Sequence, residues 1–259
     1  GIRVVIHKPL LVSDESQLPL VIWCHAGGLT LYDCLDSWGA GCFAILQDKL
    51  QVSFCWVSVD YRLSPEAKFP APIDDVVSVY KSFQDGEMAS KYGYSTEKVG
   101  LVGCSAGGYL VAYAATQLST LGQTPAFVCS FYPMADPQMN TRSCELFGDL
   151  PVCPAVWLKQ SWKWFLSNED GVVSAESMKK ASLLELDYRG LHGLRMLIVL
   201  AEFDPLLDEG AEFCKIVSKA GLQVQTVRAL GSHAFATVFD ESARAPIEAW
   251  FYQVLSPTK

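Results

Sequence analysis

The sequence predicts an α/β fold, a mostly parallel sheet with helices on both faces. Three observations carry this. Short apolar, β-branched runs recur along the 259 residues, helix-period stretches separate most of them, and one strand–helix junction is glycine-rich with a serine at its centre. The runs are 2–7, 20–24, 54–59, 99–103, 127–131, 196–201 and 224–228. They are continuously apolar rather than alternating, which suits strands covered on both faces.

Helical patterns occupy 38–50, 73–84, 106–121, 206–220 and 241–255. In the fourth, Phe213, Ile216, Val217 and Ala220 share one face. Asp208 and Glu209 open that helix, Lys215 and Lys219 close it, and Gly221 stops it. In the last, Pro246 is tolerable only near the first turn. Between 134 and 194 no strand pattern occurs. Pro151 and Pro154 precede an aromatic cluster in which Trp157, Ser161, Trp164 and Phe165 share a helical face, with Leu158 and Trp162 beside it. That segment is too long for a plain connection and reads as a helical insertion within one domain spanning 1–259. Its aromatic stripe either packs on the core or belongs to a lid that touches substrate.

Half the residues are hydrophobic and 19% are charged, so a sizeable core is available and global disorder is excluded. A net charge of −8 without a Lys/Arg cluster excludes a nucleic-acid surface. No apolar run reaches the roughly 18–20 residues of a membrane span. Of the nine cysteines, Cys24, Cys55 and Cys129 lie in strand runs and read as small buried hydrophobes. Cys34, Cys42, Cys144 and Cys153 lie in or near loops and could pair in a secreted protein. No Cys-x-x-Cys spacing suggests a metal. Reduced thiols and the cytoplasm are the expectation.

The chemistry centres on Gly103-Cys104-Ser105-Ala106-Gly107, where a strand turns into a helix. Such a turn holds the serine hydroxyl above the sheet edge at a helix N-terminus, where developing negative charge is favoured. A serine hydroxyl is a poor nucleophile at neutral pH and needs a base near pKa 7, which in turn needs a carboxylate to fix its tautomer. Asp204 and His233 follow the sixth and seventh strand runs and supply both, in the order Ser…acid…His. Glu202 and Asp208 are the alternative acids. Chain order sets aside His7 and His25 as bases, and His192 precedes its strand. His25-Ala26-Gly27-Gly28 ends the second run, and its two glycines can aim backbone N–H groups into a cavity beside that of Ala106. Asp60, Arg62, Glu66, Asp74 and Asp75 crowd one loop and its helix, where polar groups usually form structural ion pairs.

These motifs, with Asp60-Tyr61-Arg62-Leu63-Ser64-Pro65-Glu66, Asp204-Pro205-Leu206, Asp208-Glu209-Gly210 and His233-Ala234-Phe235, resemble the hormone-sensitive-lipase-type branch of the α/β-hydrolases over roughly residues 1–255. The resemblance implies an α/β-hydrolase fold with a helical cap at about 134–194. It implies a serine carboxylesterase for short-to-medium acyl esters, with Ser105 as nucleophile, His233 as base and Asp204 as orienter. Gly27, Gly28 and Ala106 would form the oxyanion hole, with no metal or cofactor and a small-molecule ester as partner. Leu29, Trp157, Trp162 and Phe165 are the expected pocket residues. A binding protein of the gibberellin-receptor type shares this fold but has its catalytic histidine replaced, whereas His233 is present here. Amide hydrolysis and acyl transfer run on the same machinery. The chain departs from the family at Ala26, at Cys104 where Asp is usual, and at Ala234 where Gly is usual. It also begins at what resembles the relatives' second strand, which suggests either a trimmed chain or an enzyme with a one-part lid.

Overall fold

The centre of the sheet is a long strand, β4 (Tyr94–Cys104), with β2 (Leu18–Cys24) on one side and β5 (Phe127–Phe131) on the other. The computed structural model describes residues 1–9, 17–234 and 240–256, without the side chains of 37, 38 and 40. The other strands are β1 (Val4–His7), β3 (Cys55–Val59), β6 (Arg195–Phe203) and β7 (Gln223–Ser232), in the spatial order β1-β3-β2-β4-β5-β6-β7. β1 pairs antiparallel with β3, and every other pairing is parallel. All of β2 and β3 is buried, as a strand covered on both faces requires. β7 differs. As an edge strand it alternates, with Val227 and Ala229 inward and Arg228 and Leu230 exposed.

Helices cover both faces because the crossovers alternate sides. One face carries α1 (Ser37–Leu50) and α9 (Glu241–Leu255), whose Phe43, Ile247, Trp250 and Phe251 pack on Trp23, Phe127 and Val199. The other carries α2 (Ala71–Ser82), α4 (Ala106–Thr120) and α8 (Leu207–Lys219) over Leu20, Leu101 and Ile198. Pro246 stands in the second turn of α9, beyond the first turn expected for it, and the helix continues past it. The short α3 (Gly86–Tyr92) has no counterpart among the sequence patterns. It buries none of its residues and is defined by its ends, the Asp85 side chain accepting from Glu87 and Met88 N–H and Gly93 in the left-handed conformation.

Between β5 and β6 the chain forms α5 (Arg142–Phe147), α6 (Ala155–Leu166), α7 (Ala175–Ala181) and two 3-10 turns, with no strand among the described residues. Within α6, Leu158, Ser161, Trp162 and Phe165 are buried while Trp164 is exposed, so the stripe expected to include Trp164 is rotated. The buried face meets α4: Trp162 and Phe165 pack edge-on against Tyr109 at 5.1 and 6.1 Å. No helix among the described residues is long and apolar enough to cross a membrane.

Candidate active site

The turn from β4 into α4 puts Ser105 at φ +56° and ψ −118°, a conformation L-residues avoid and hold only when their surroundings enforce it. Two glycines do so. A Cβ on Gly107 would strike the Cys24 and His25 carbonyls, and one on Gly103 would strike the Gly107 backbone. The Ser105 N–H donates to the Phe131 carbonyl at 2.8 Å, fixing the turn against β5. The hydroxyl sits at the N-terminus of the 15-residue α4.

His233, at the end of β7, reaches Ser105 Oγ through Nε2 at 3.0 Å and Asp204 Oδ2 through Nδ1 at 2.7 Å. Asp204 is 1% exposed, and its other oxygen accepts the Leu206 N–H at 2.9 Å. Burial works against a charged imidazole, but the Asp204 carboxylate outweighs it and holds His233 well above the ordinary 6.5. The Tyr132 ring packs on the imidazole at 4.9 Å, and its hydroxyl reaches the Ala234 carbonyl at 3.4 Å.

The alternatives raised by the sequence are occupied elsewhere. Glu202 pairs with Arg228, Asp208 accepts the Ser143 N–H, and His7 stacks on Trp56. His25 is buried beneath the glycine loop, stacked on Tyr61 at 4.2 Å, and burial lowers its pKa, so the imidazole is neutral. The polar loop after β3 is held as expected for structural ion pairs, Arg3 on Asp60 and Arg62 on Asp75, each at 2.7 Å. Glu209 stands in the first turn of α8 as expected, but its side chain turns inward. It is 1% exposed and accepts the Ala135 and Asp136 N–H groups, and burial pushes its pKa well above the usual carboxylate range.

Gly27 (φ +111°) and Gly28 (φ +60°) form the loop after β2. A Cβ on Gly28 would come within 2.6 Å of the Trp157 ring. Among the described residues the N–H groups of Gly27, Gly28 and Ala106 meet no protein acceptor. A cavity of about 820 Å³ opens over Ser105 and His233, walled by this loop, by Tyr32 and Ile45, and by Cys153 and Trp157 from the β5–β6 segment. Of the expected pocket residues only Trp157 lines it. Leu29 is fully buried, with its carbonyl taken by the Ser64 N–H, and Trp162 and Phe165 belong to the core against Tyr109. Spacing showed that these side chains cluster; it held no signal for which of them the cavity would reach.

All nine cysteines are unpaired. Cys153, placed by sequence in a loop, is 2% exposed and lines the same cavity as the His233 imidazole. Nothing in its flanking residues marks it for that position. Ala234 takes φ +67°. Phe235, the last residue of the His-Ala-Phe motif, lies outside the described residues. Among the described residues no cluster of His, Cys, Asp or Glu is arranged to hold a metal ion.

Residues 21–237 match the α/β-hydrolase fold family. The chain belongs to its hormone-sensitive-lipase-type branch. This α/β-hydrolase is 33% identical over 237 residues to carboxylic ester hydrolase LipN of Mycobacterium tuberculosis, a match covering 88% of this chain and 60% of LipN. It is 30% identical over 233 residues to carboxylesterase NlhH of the same species, covering 86% and 67%. The chain therefore spans about two thirds or less of these relatives. Among solved structures, the thermostable carboxylesterase EstE1 from a metagenomic library superposes with TM-score 0.82 at 27% identity, covering 99% of this chain and 85% of that one. The esterase of Pyrobaculum calidifontis gives 0.81 at 26%, covering 98% and 80%.

Proposed function

We propose that this α/β-hydrolase is a serine carboxylesterase acting on short-to-medium acyl esters. The observation that carries the reading is the continuous hydrogen-bonded chain Asp204–His233–Ser105 at 2.7 and 3.0 Å, opening into a largely apolar cavity. His233 Nε2 takes the Ser105 proton as Oγ attacks the ester carbonyl. Asp204 keeps the Nδ1 tautomer and stabilises the imidazolium. The oxyanion is received by the N–H groups of Gly27, Gly28 and Ala106, the last reinforced by the start of α4. The imidazolium returns the proton to the leaving alcohol, giving an acyl-Ser105. Water, deprotonated by His233, then attacks this ester and releases the acid. No step calls for a metal or cofactor. The β5–β6 helices serve as the cap, touching substrate through Cys153 and Trp157.

A purely binding role has less support, because the imidazole is present and bonded on both sides. Nine unpaired thiols suit a reducing compartment such as the cytoplasm. Turnover of p-nitrophenyl acetate or butyrate is expected, with Ser105→Ala lowering kcat by roughly 10⁴-fold or more. A p-nitrophenyl phosphonate is expected to add its mass to the peptide holding Ser105. Equal turnover in the Ser105→Ala variant, or labelling elsewhere, would overturn the reading.

A further inference from the structure

A second cavity, about 270 Å³, lies between α1 and α9 on the sheet face opposite α4. Its inner walls are apolar: Phe43 and Leu46 from α1, Phe131 at the end of β5, and Ile247 and Phe251 from α9. Of the charged residues in its lining Lys49 is exposed, while Glu248 and Arg244 are half-buried; Lys49 and Glu248 pair at 3.0 Å across the two helices, and Arg244 reaches Glu241 at 3.5 Å at the N-terminal end of α9. Alone it falls below the roughly 300 Å³ at which small-molecule sites begin. It is not alone. Cys42, Ile45, Cys104 and Tyr132 line both this cavity and the one over Ser105, so the two abut at the residue immediately before the nucleophile.

We infer that the cavity between α1 and α9 is a hydrocarbon subsite of the candidate active site, taking one alkyl arm of the ester past Cys104. The inference rests on the esterase reading and names a substrate class within it: esters carrying an unbranched, uncharged chain of medium length. Cys104 suits the junction. It is 4% exposed and burial keeps its thiol protonated, so the side chain at the junction carries no charge. A buried methylene favours association by roughly fourfold, and an arm that crosses the junction gains over acetate with each carbon that finds the pocket.

The test is the ratio of kcat/KM for p-nitrophenyl octanoate to that for acetate. In the wild type this ratio is expected above unity. Cys104→Asp, which puts a carboxylate at the junction, and Ile247→Trp, which fills the far wall, are each expected to lower it about tenfold. Because Cys104→Asp buries a charge and could fail to fold, a labelling measurement that keeps Cys104 stands beside it. In a Cys42→Ser, Leu46→Cys chain, whose thiol at position 46 lines only the α1–α9 cavity, an octylphosphonate on Ser105 is expected to slow alkylation of that thiol by N-ethylmaleimide about tenfold, and a methylphosphonate less than twofold. Ratios unchanged within twofold in a folded variant, or equal protection by both phosphonates, would overturn the subsite while leaving esterase activity intact. No Ser105-dependent turnover of any ester would instead overturn the esterase reading.

Discussion

The β4–α4 turn and helix α6 border the same cavity, but their residues answer to different constraints. At the turn, each position is fixed by its own backbone: Ser105 at φ +56°, Gly103 and Gly107 against carbonyls that leave no room for a Cβ. Along α6, four aromatic side chains share twelve residues, and three destinations divide them. Trp162 and Phe165 enter the core, Trp164 faces solvent, and Trp157 reaches the cavity. A constraint that acts within five residues can be recognised from those residues alone. One that depends on which neighbour a helix face meets cannot.

Catalysis should suffer most when the hydrogen-bonded chain that ends at the turn is cut. Asp204→Asn removes the carboxylate that orients His233 and should lower kcat by about 10⁴-fold, the scale seen when an orienting carboxylate is lost in a hydrolase triad. The pH profile sharpens it. His233 acts as base only when neutral, so kcat/KM should fall as pH falls through its pKa. The Asp204 carboxylate raises that pKa above 6.5, which puts the acid limb above 6.5 in the wild type. In Asp204→Asn the carboxylate charge that raises the pKa is gone while the opposing effect of burial remains, and the limb should move to lower pH. An unmoved limb would mean that Asp204 does not set the titration of His233.

Next is a contrast within α6. Trp162, 2% exposed against Tyr109, should behave as core. Trp162→Ala is expected to destabilise by about 3–5 kcal/mol, lowering Tm by about 10 °C, with KM for short esters little changed. Trp157→Ala should do the reverse. It strips the half-buried ring that covers Gly28 and walls the cavity, raising KM several-fold with a stability loss of about 1 kcal/mol. If both variants lose stability alike and neither alters KM, α6 is core throughout and the cavity wall at Trp157 is incidental.

The same division governs how much of the fold and site is legible in the sequence. Strands 20–24 and 127–131 and helix 241–255 match or nearly match their predicted bounds because continuous burial and capping write them into local sequence. The three side chains of the hydrogen-bonded chain were legible because each follows a strand end where parallel sheets collect ligands. Leu29 was not, because its side chain turns inward at a positive φ that the sequence gives no reason to expect of a leucine. Glu209 escaped for another reason. Its partners, the Ala135 and Asp136 N–H groups, lie more than seventy positions away, and an acidic residue at a helix start reads first as a favourable charge on the dipole.

Two residues of the site carry the same kind of backbone strain for different reasons. Ser105 and Ala234 both hold positive φ, at +56° and +67°. In an L-residue the left-handed region costs about 1–2 kcal/mol. At Ser105 the strain cannot be relieved without losing the hydroxyl it presents. At Ala234 only a methyl is at stake, so Ala234→Gly should remove the strain, offset by the roughly 0.5–1 kcal/mol of extra chain freedom that glycine gives the unfolded state. The balance favours the variant by about 0.5–1 kcal/mol, or a rise in Tm of about 2–3 °C. Thermal and urea unfolding would measure it, with ester turnover followed in parallel because Ala234 adjoins His233 and lines the cavity. A destabilised variant would show that the methyl packs into the cavity wall more favourably than its backbone is strained. The positive φ would then be held in place by the site, as it is at Ser105.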